Sequence, residues 1–145
     1  MKLRQKLWFG TIASFSGLMM SAQSLLAETI PPKPNSNRVG DFAVRTSHPF
    51  WTVVDPDENG LSCRWSPDAP VDWYSPAADF PNSAFYQWPV VRTFDYGTVL
   101  TANITPAGFA TLTDNRGLPW LKVRQGDNDE ICLVRANASY ILPLP

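Results

Sequence analysis

From Phe50 onward, short apolar runs alternate with turn-forming residues, and this rhythm limits the fold more than any other feature. The runs are Trp51 to Val54, Leu61 to Trp65, Thr98 to Ile104, Phe109 to Thr113, Trp120 to Arg124 and Ile131 to Arg135. All are of strand length and rich in Val, Ile, Thr and aromatic residues, which suit a pleated, half-buried surface. In Leu61 to Trp65, Leu61 and Cys63 fall on one face and Ser62 and Arg64 on the other. The connections Thr105 to Gly108, Asp114 to Gly117 and Gln125 to Asp129 are short and carry Gly, Asn or Asp, which supply turn conformations. Fourteen prolines oppose long helices. No helical period of useful length follows the N-terminal leader. Consecutive short strands on short turns predict antiparallel neighbours and an all-β fold, a small barrel or sandwich.

One stretch interrupts the rhythm. Ser66 to Trp88 holds Trp73, Tyr74, Phe80, Phe85, Tyr86 and Trp88, too aromatic for a disordered linker. Ser75-Pro76 is suited to start one short helical turn, with Asp79 near its N-terminal end. Upstream, residues 28–49 contain Pro31, Pro32 and Pro34 beside Asn35, Ser36 and Asn37, and read as a Pro-rich disordered tether. Phe42 and Val44 are its docking points.

The first 27 residues have the three-part form of a secretory signal peptide. Lys2, Arg4 and Lys6 precede an uncharged stretch from Leu7 to Met20, followed by small and polar residues ending in Ala27. That stretch is shorter than the roughly 20 residues a bilayer span needs, so no membrane span is expected after cleavage. Cleavage is expected after Ala27, with Ser24 as the second choice. The remaining 118 residues suit one domain, residues 50–145, preceded by the tether. Their nine basic and 13 acidic residues lack the basic stripe that nucleic acid requires, and the charge has the wrong sign for anionic lipid. Export places Cys63 and Cys132 in an oxidising compartment, periplasmic or extracellular, where one disulfide between them is expected.

Four segments in order resemble bacterial SH3-like (SH3b) domains. Gly60-Leu61-Ser62-Cys63-Arg64 is similar to the family's opening "L-N-V-R" strand. Val90 to Leu100 resembles its apolar pair, charged turn and "G-T-x-L" strand entry. Pro119-Trp120-Leu121-Lys122-Val123 resembles "x-W-x-K-V", and Cys132 to Ile141 resembles the closing "G-W-V-x-x-x-Y-L". The Asp55-to-Arg64 opening is similar to that of exported cyanobacterial members, which often pair it with a late cysteine. Cys132-Leu133 stands where the family has Gly-Trp. The resemblance implies a small SH3-like barrel of five to seven short antiparallel strands, here with a long aromatic-rich loop. It also implies a binding role, often on cell-wall material. In the family the faces that carry Cys63 with Leu61 and Cys132 with Val134 point inward on neighbouring segments.

The candidate site is the aromatic loop with Trp65. Exposed rings on a rigid scaffold stack on sugars or peptide backbones. Trp65, Trp73, Tyr74 and Trp88 are the expected contacts, with Asp68 and Asp72 orienting a basic or amide-rich ligand. The alternative is that the rings plug one end of the barrel. Trp120, Val123, Val134 and Tyr140 are assigned to the core. Asp55-Pro56-Asp57-Glu58-Asn59-Gly60 matches the first half of a calcium loop, but Ser66 stands where a bidentate carboxylate is required, so a solvated turn is expected and no metal. His48, the only histidine, is expected to be solvated in the tether. Catalysis finds little support, because a base needs a nucleophile and an orienting partner. Paired carboxylates among Asp68, Asp72 and Asp79 are the only hint of a wall hydrolase. The expected function is a monomeric, non-catalytic, cofactor-free exported module that binds cell-wall peptide or glycan, or another exported protein. The alternative is an accessory domain that docks on a periplasmic partner.

Overall fold

The computed structural model describes residues 30–70, 83–126 and 130–145. The leader, the candidate site residues Asp72, Trp73 and Tyr74, the Ser75-Pro76 turn with Asp79, and the hairpin tip at 127–129 lie outside the described residues. Among those described, the chain forms eight strands and one short 3-10 turn, Phe85–Gln87. The strands are β1 (Phe50–Val53), β2 (Leu61–Arg64), β3 (Val90–Phe94), β4 (Val99–Thr101), β5 (Thr111–Thr113), β6 (Pro119–Arg124), β7 (Ile131–Arg135) and β8 (Ile141–Pro143). The all-β reading holds. Six strands fall on the predicted runs; β3 and β8 are additions, too short or too exposed to show a period of their own.

The strands form two antiparallel sheets, ordered β4-β1-β8 and β3-β2-β7-β6-β5, and not one closed barrel. An isolated bridge between Ala102 and Val123 joins them, beside the bond from Asn103 N–H to Lys122 O (2.9 Å). Strand alternation then builds the core. Leu121 and Val134 pair across β6 and β7, as do Val123 and Cys132. These side chains meet Leu61 and Cys63 of β2 and, from the other sheet, Trp51, Val53, Leu100 and Ile141. Within this core Cys63 and Cys132 are joined as expected, stapling β2 to β7. Both sulfurs sit on fully buried residues.

The opposite face of the five-stranded sheet is apolar too. Trp120 and Leu133 point outward there and are covered by Phe85 and Trp88, with Trp65, Tyr86 and Leu112 packed at the margin. Phe85 and Trp88 therefore supply a second core layer across the sheet, which explains why β6 and β7 are buried on both faces.

The segment expected as a disordered tether is part of the fold from Asp41 to His48. Phe42 is buried and sets its ring edge-on to Trp51 at 5.0 Å. Its N–H donates to Ala136 O (3.0 Å), and Asp41 bridges to Asn137. His48 is buried, not solvated: Nδ1 lies 3.1 Å from Pro31 O and Nε2 2.8 Å from Leu144 O. Trp51 Nε1 donates to His48 O (3.0 Å), so this large buried ring keeps its polar atom satisfied. Composition misleads here because Phe42 and His48 each also hydrogen-bond a distant residue, Ala136 and Leu144, the second 96 positions away.

Candidate functional site

An open cleft of about 390 Å³ lies over the end of β2, β6 and β7, within the size range of ligand pockets. One wall is the Asp55-to-Gly60 turn. Gly60 adopts φ +78°, and a Cβ there would stand 2.8 Å from Phe94 O, so only glycine allows this close turn. The calcium-like motif is a run of side-chain-to-backbone bonds: Asp57 N–H donates to Asp55 Oδ1 (3.1 Å), and Asn59 N–H and Nδ2 donate to Asp57 Oδ1 (2.9 Å each). Those two donors hold the exposed Asp57 carboxyl below the usual carboxylate range. Among the described residues no cluster of three metal-ligating side chains occurs.

The other wall is built on Asp114. Its Oδ1 accepts the N–H groups of Arg116 and Leu118 (2.9 Å each), and Oδ2 accepts Trp120 Nε1 (3.1 Å). Burial pushes this carboxyl up; the N–H donors of Leu118, Trp120 and Arg116, with the Arg116 charge, outweigh it and hold it low. The tight turn at Gly117 then places the Arg116 guanidinium carbon over the Tyr86 ring, 3.5 Å from its centroid. Arg116 Nη2 stands 3.7 Å from Asp114 Oδ2. Trp120, Leu61 and Leu118 line the cleft between the walls, and Tyr140 closes one side. Arg64 and Arg135 also face it. Arg64 Nη1 donates to Trp88 O (2.8 Å). Arg135 donates to Pro119 O (2.7 Å) and is ion-paired with Asp41, so the N-terminal segment fixes a cleft residue.

The expected contacts are distributed differently. Trp88 is a core residue, 5 % exposed, with edge contacts to Phe85 (4.8 Å) and Trp65 (5.6 Å). Trp65 is half-buried against both hydrophobic clusters, and Asp68 is exposed in a turn; neither lines the cleft. Asp72, Trp73 and Tyr74 lie outside the described residues. Tyr140, expected in the core, is 36 % exposed on the cleft, whereas Trp120, Val123 and Val134 are buried as expected. Tyr140 turns outward because it precedes β8 in a turn, where strand alternation no longer dictates its direction. Sequence reasoning held Tyr86 only as one ring of the aromatic loop, not as a named contact, and missed Arg116 and Arg64. Arg116 alone left a signal, an arginine inside an Asp-Asn-x-Gly turn directly before an aromatic strand.

Across protein-family models, curated proteins and solved structures, no match to this chain was found.

Proposed function

We propose that this protein is an exported, non-catalytic binding module of bacterial SH3-like character that takes cell-wall peptide or glycan in the cleft beside Tyr86. The observation that carries the reading is the Arg116–Tyr86 plate, which lines a cleft of ligand size together with Tyr140. Rings give area and stacking surface, while guanidinium and carboxylate groups at the rim orient a polar ligand. The buried disulfide supports folding in an oxidising compartment, and with it export to the periplasm or medium. Co-sedimentation with isolated cell wall tests it: wild type pellets with the wall, and a Tyr86→Ala/Tyr140→Ala variant stays in solution. A wild type that never pellets refutes wall binding.

A second reading, docking on an exported partner protein, rests on a different surface. On the outer face of the three-stranded sheet, Val99 and Leu142 flank Thr52, and Phe50 lies two residues along the same strand. All three apolar side chains are more than 40 % exposed. Light-scattering mass in the presence of periplasmic extract checks it. A mass increase that Val99→Glu abolishes favours docking; an unchanged mass excludes it.

A further inference from the structure

We propose that the cleft selects a ligand through a singly charged carboxylate, and that Arg116 determines this specificity. The proposal rests on the reading of the cleft as a wall-ligand site and adds the chemical group it selects.

Three guanidinium groups face the cleft. Arg135 is engaged on both terminal nitrogens, by the Pro119 and Ala136 carbonyls and by the Asp41 carboxylate. Arg64 gives one nitrogen to Trp88 O. Arg116 is different: its central carbon lies 3.5 Å from the Tyr86 ring centroid, a stacking distance too short for an N–H to point at the ring, so the N–H groups are left for other partners. Its approach to Asp114 Oδ2, 3.7 Å, is a charge contact too long for a hydrogen bond. Asp114 spends three acceptor sites on backbone and indole N–H donors and meets the guanidinium only at ion-pair distance, so it positions the side chain without occupying its fork. The side chain is 48 % exposed.

A planar fork held on an aromatic ring matches a planar, two-oxygen acceptor in its own plane, and a carboxylate is that group. Because Tyr86 and Asp114 hold the guanidinium in place, little side-chain freedom is lost on binding. The opposite wall decides between anions. Asp55 and Asp57 line the same cleft, and repulsion from two carboxylates doubles for a dianion such as a phosphate monoester. A monoanion with an apolar or amide body beside Tyr86 and Trp120 fits both walls.

Two measurements test this. In the first, isolated cell wall is compared with the same wall after its carboxyl groups have been converted to amides. In the second, N-acetyl-trialanine is compared with its C-terminal amide by calorimetry. Loss of a charge-assisted fork predicts about tenfold weaker binding of both amidated forms. Arg116→Gln, whose backbone N–H still caps Asp114, binds acid and amide alike at the weaker level, and inorganic phosphate competes less well than acetate. Arg116→Lys keeps the charge, lacks the fork and also discriminates poorly. Equal binding of acid and amide by wild type overturns the proposal, as does discrimination that survives in Arg116→Gln with unchanged thermal stability. Selective binding of the acid peptide without wall binding upholds the carboxylate site and refutes the wall function. Wall binding indifferent to amidation does the reverse, and no binding to either refutes both.

Discussion

At the scale of single residues, two buried groups among those described tie stability to pH. Asp114 is held below the usual carboxylate range in the folded chain, so its contribution is complete above the unfolded carboxyl range and is lost as pH falls through the folded value. Asp114→Asn keeps the shape but replaces an acceptor pair with one oxygen and an NH₂ that faces donors. It is expected to cost about 1–3 kcal/mol at pH 7 in urea denaturation. The difference from wild type should shrink toward pH 3; a constant difference would show that charge is irrelevant there. Lys122 has the opposite sign of effect. Fully buried on β6 with Nζ 5.2 Å from the Phe109 ring centroid, it has its pKa lowered by desolvation to about 7. The folded state then binds fewer protons than the unfolded one between pH 7 and the ordinary lysine value, and stability rises with pH across that window. A gap of that size is worth at most about 5 kcal/mol. Lys122→Met should therefore gain stability relative to wild type as pH falls from 10 to 6. A pH-independent difference would sink this account.

Among elements, the pairing of β2 with β7 is the seam that holds the larger sheet together. Only Arg64 and Leu133 pair in register there, beside a bulge between Cys63 and Arg64. The Cys63–Cys132 bond spans a separation of 69 residues at that seam. Loop-closure entropy for such a span is worth about 4 kcal/mol. A Cys63→Ser/Cys132→Ser variant should lose a comparable amount of unfolding free energy and, for a domain of this size, most of its stability. A loss under about 1 kcal/mol would show that sheet pairing alone closes the seam. The bond was foreseeable from two cysteines downstream of a segment with the form of a signal peptide. The pairing of β3 with β2 was less so: Val90 to Thr93 are exposed, and no alternation marks that strand. It is defined by its neighbour's backbone, a partner 30 residues away in the chain.

For the whole molecule, the closing of one chain end on the other sets the boundary of the domain. Asp41 bonds Arg135 and Asn137, Ala138 N–H donates to Gly40 O (2.7 Å), and His48 contacts the carbonyls of Pro31 and Leu144. Deleting residues 30–43 removes the buried Phe42 and leaves Arg135 without its carboxylate. The expected loss is at least about 3 kcal/mol by denaturant unfolding, since a buried aromatic alone is worth that much. A passive tether would give no change. The same deletion should weaken ligand binding, because Arg135 lines the cleft.

Local chemistry was enough to identify six of the eight described strands and the turns at 105–108 and 114–117, because alternation and turn propensity act between neighbours. It also marked Trp120, Val123 and Val134 as interior, since each sits in such a strand. Three things were beyond its reach. Trp88 reads the same whether it meets ligand or Leu133, and only the covered outer face of the sheet makes it core. Proline-rich composition at 28–49 hides a Phe42 and a His48 whose partners lie almost the full length of the domain away. The Arg116–Tyr86 plate joins side chains 30 positions apart. Burial and cross-sheet contact are properties of the assembled sheets, so they were decided only when the chain had folded.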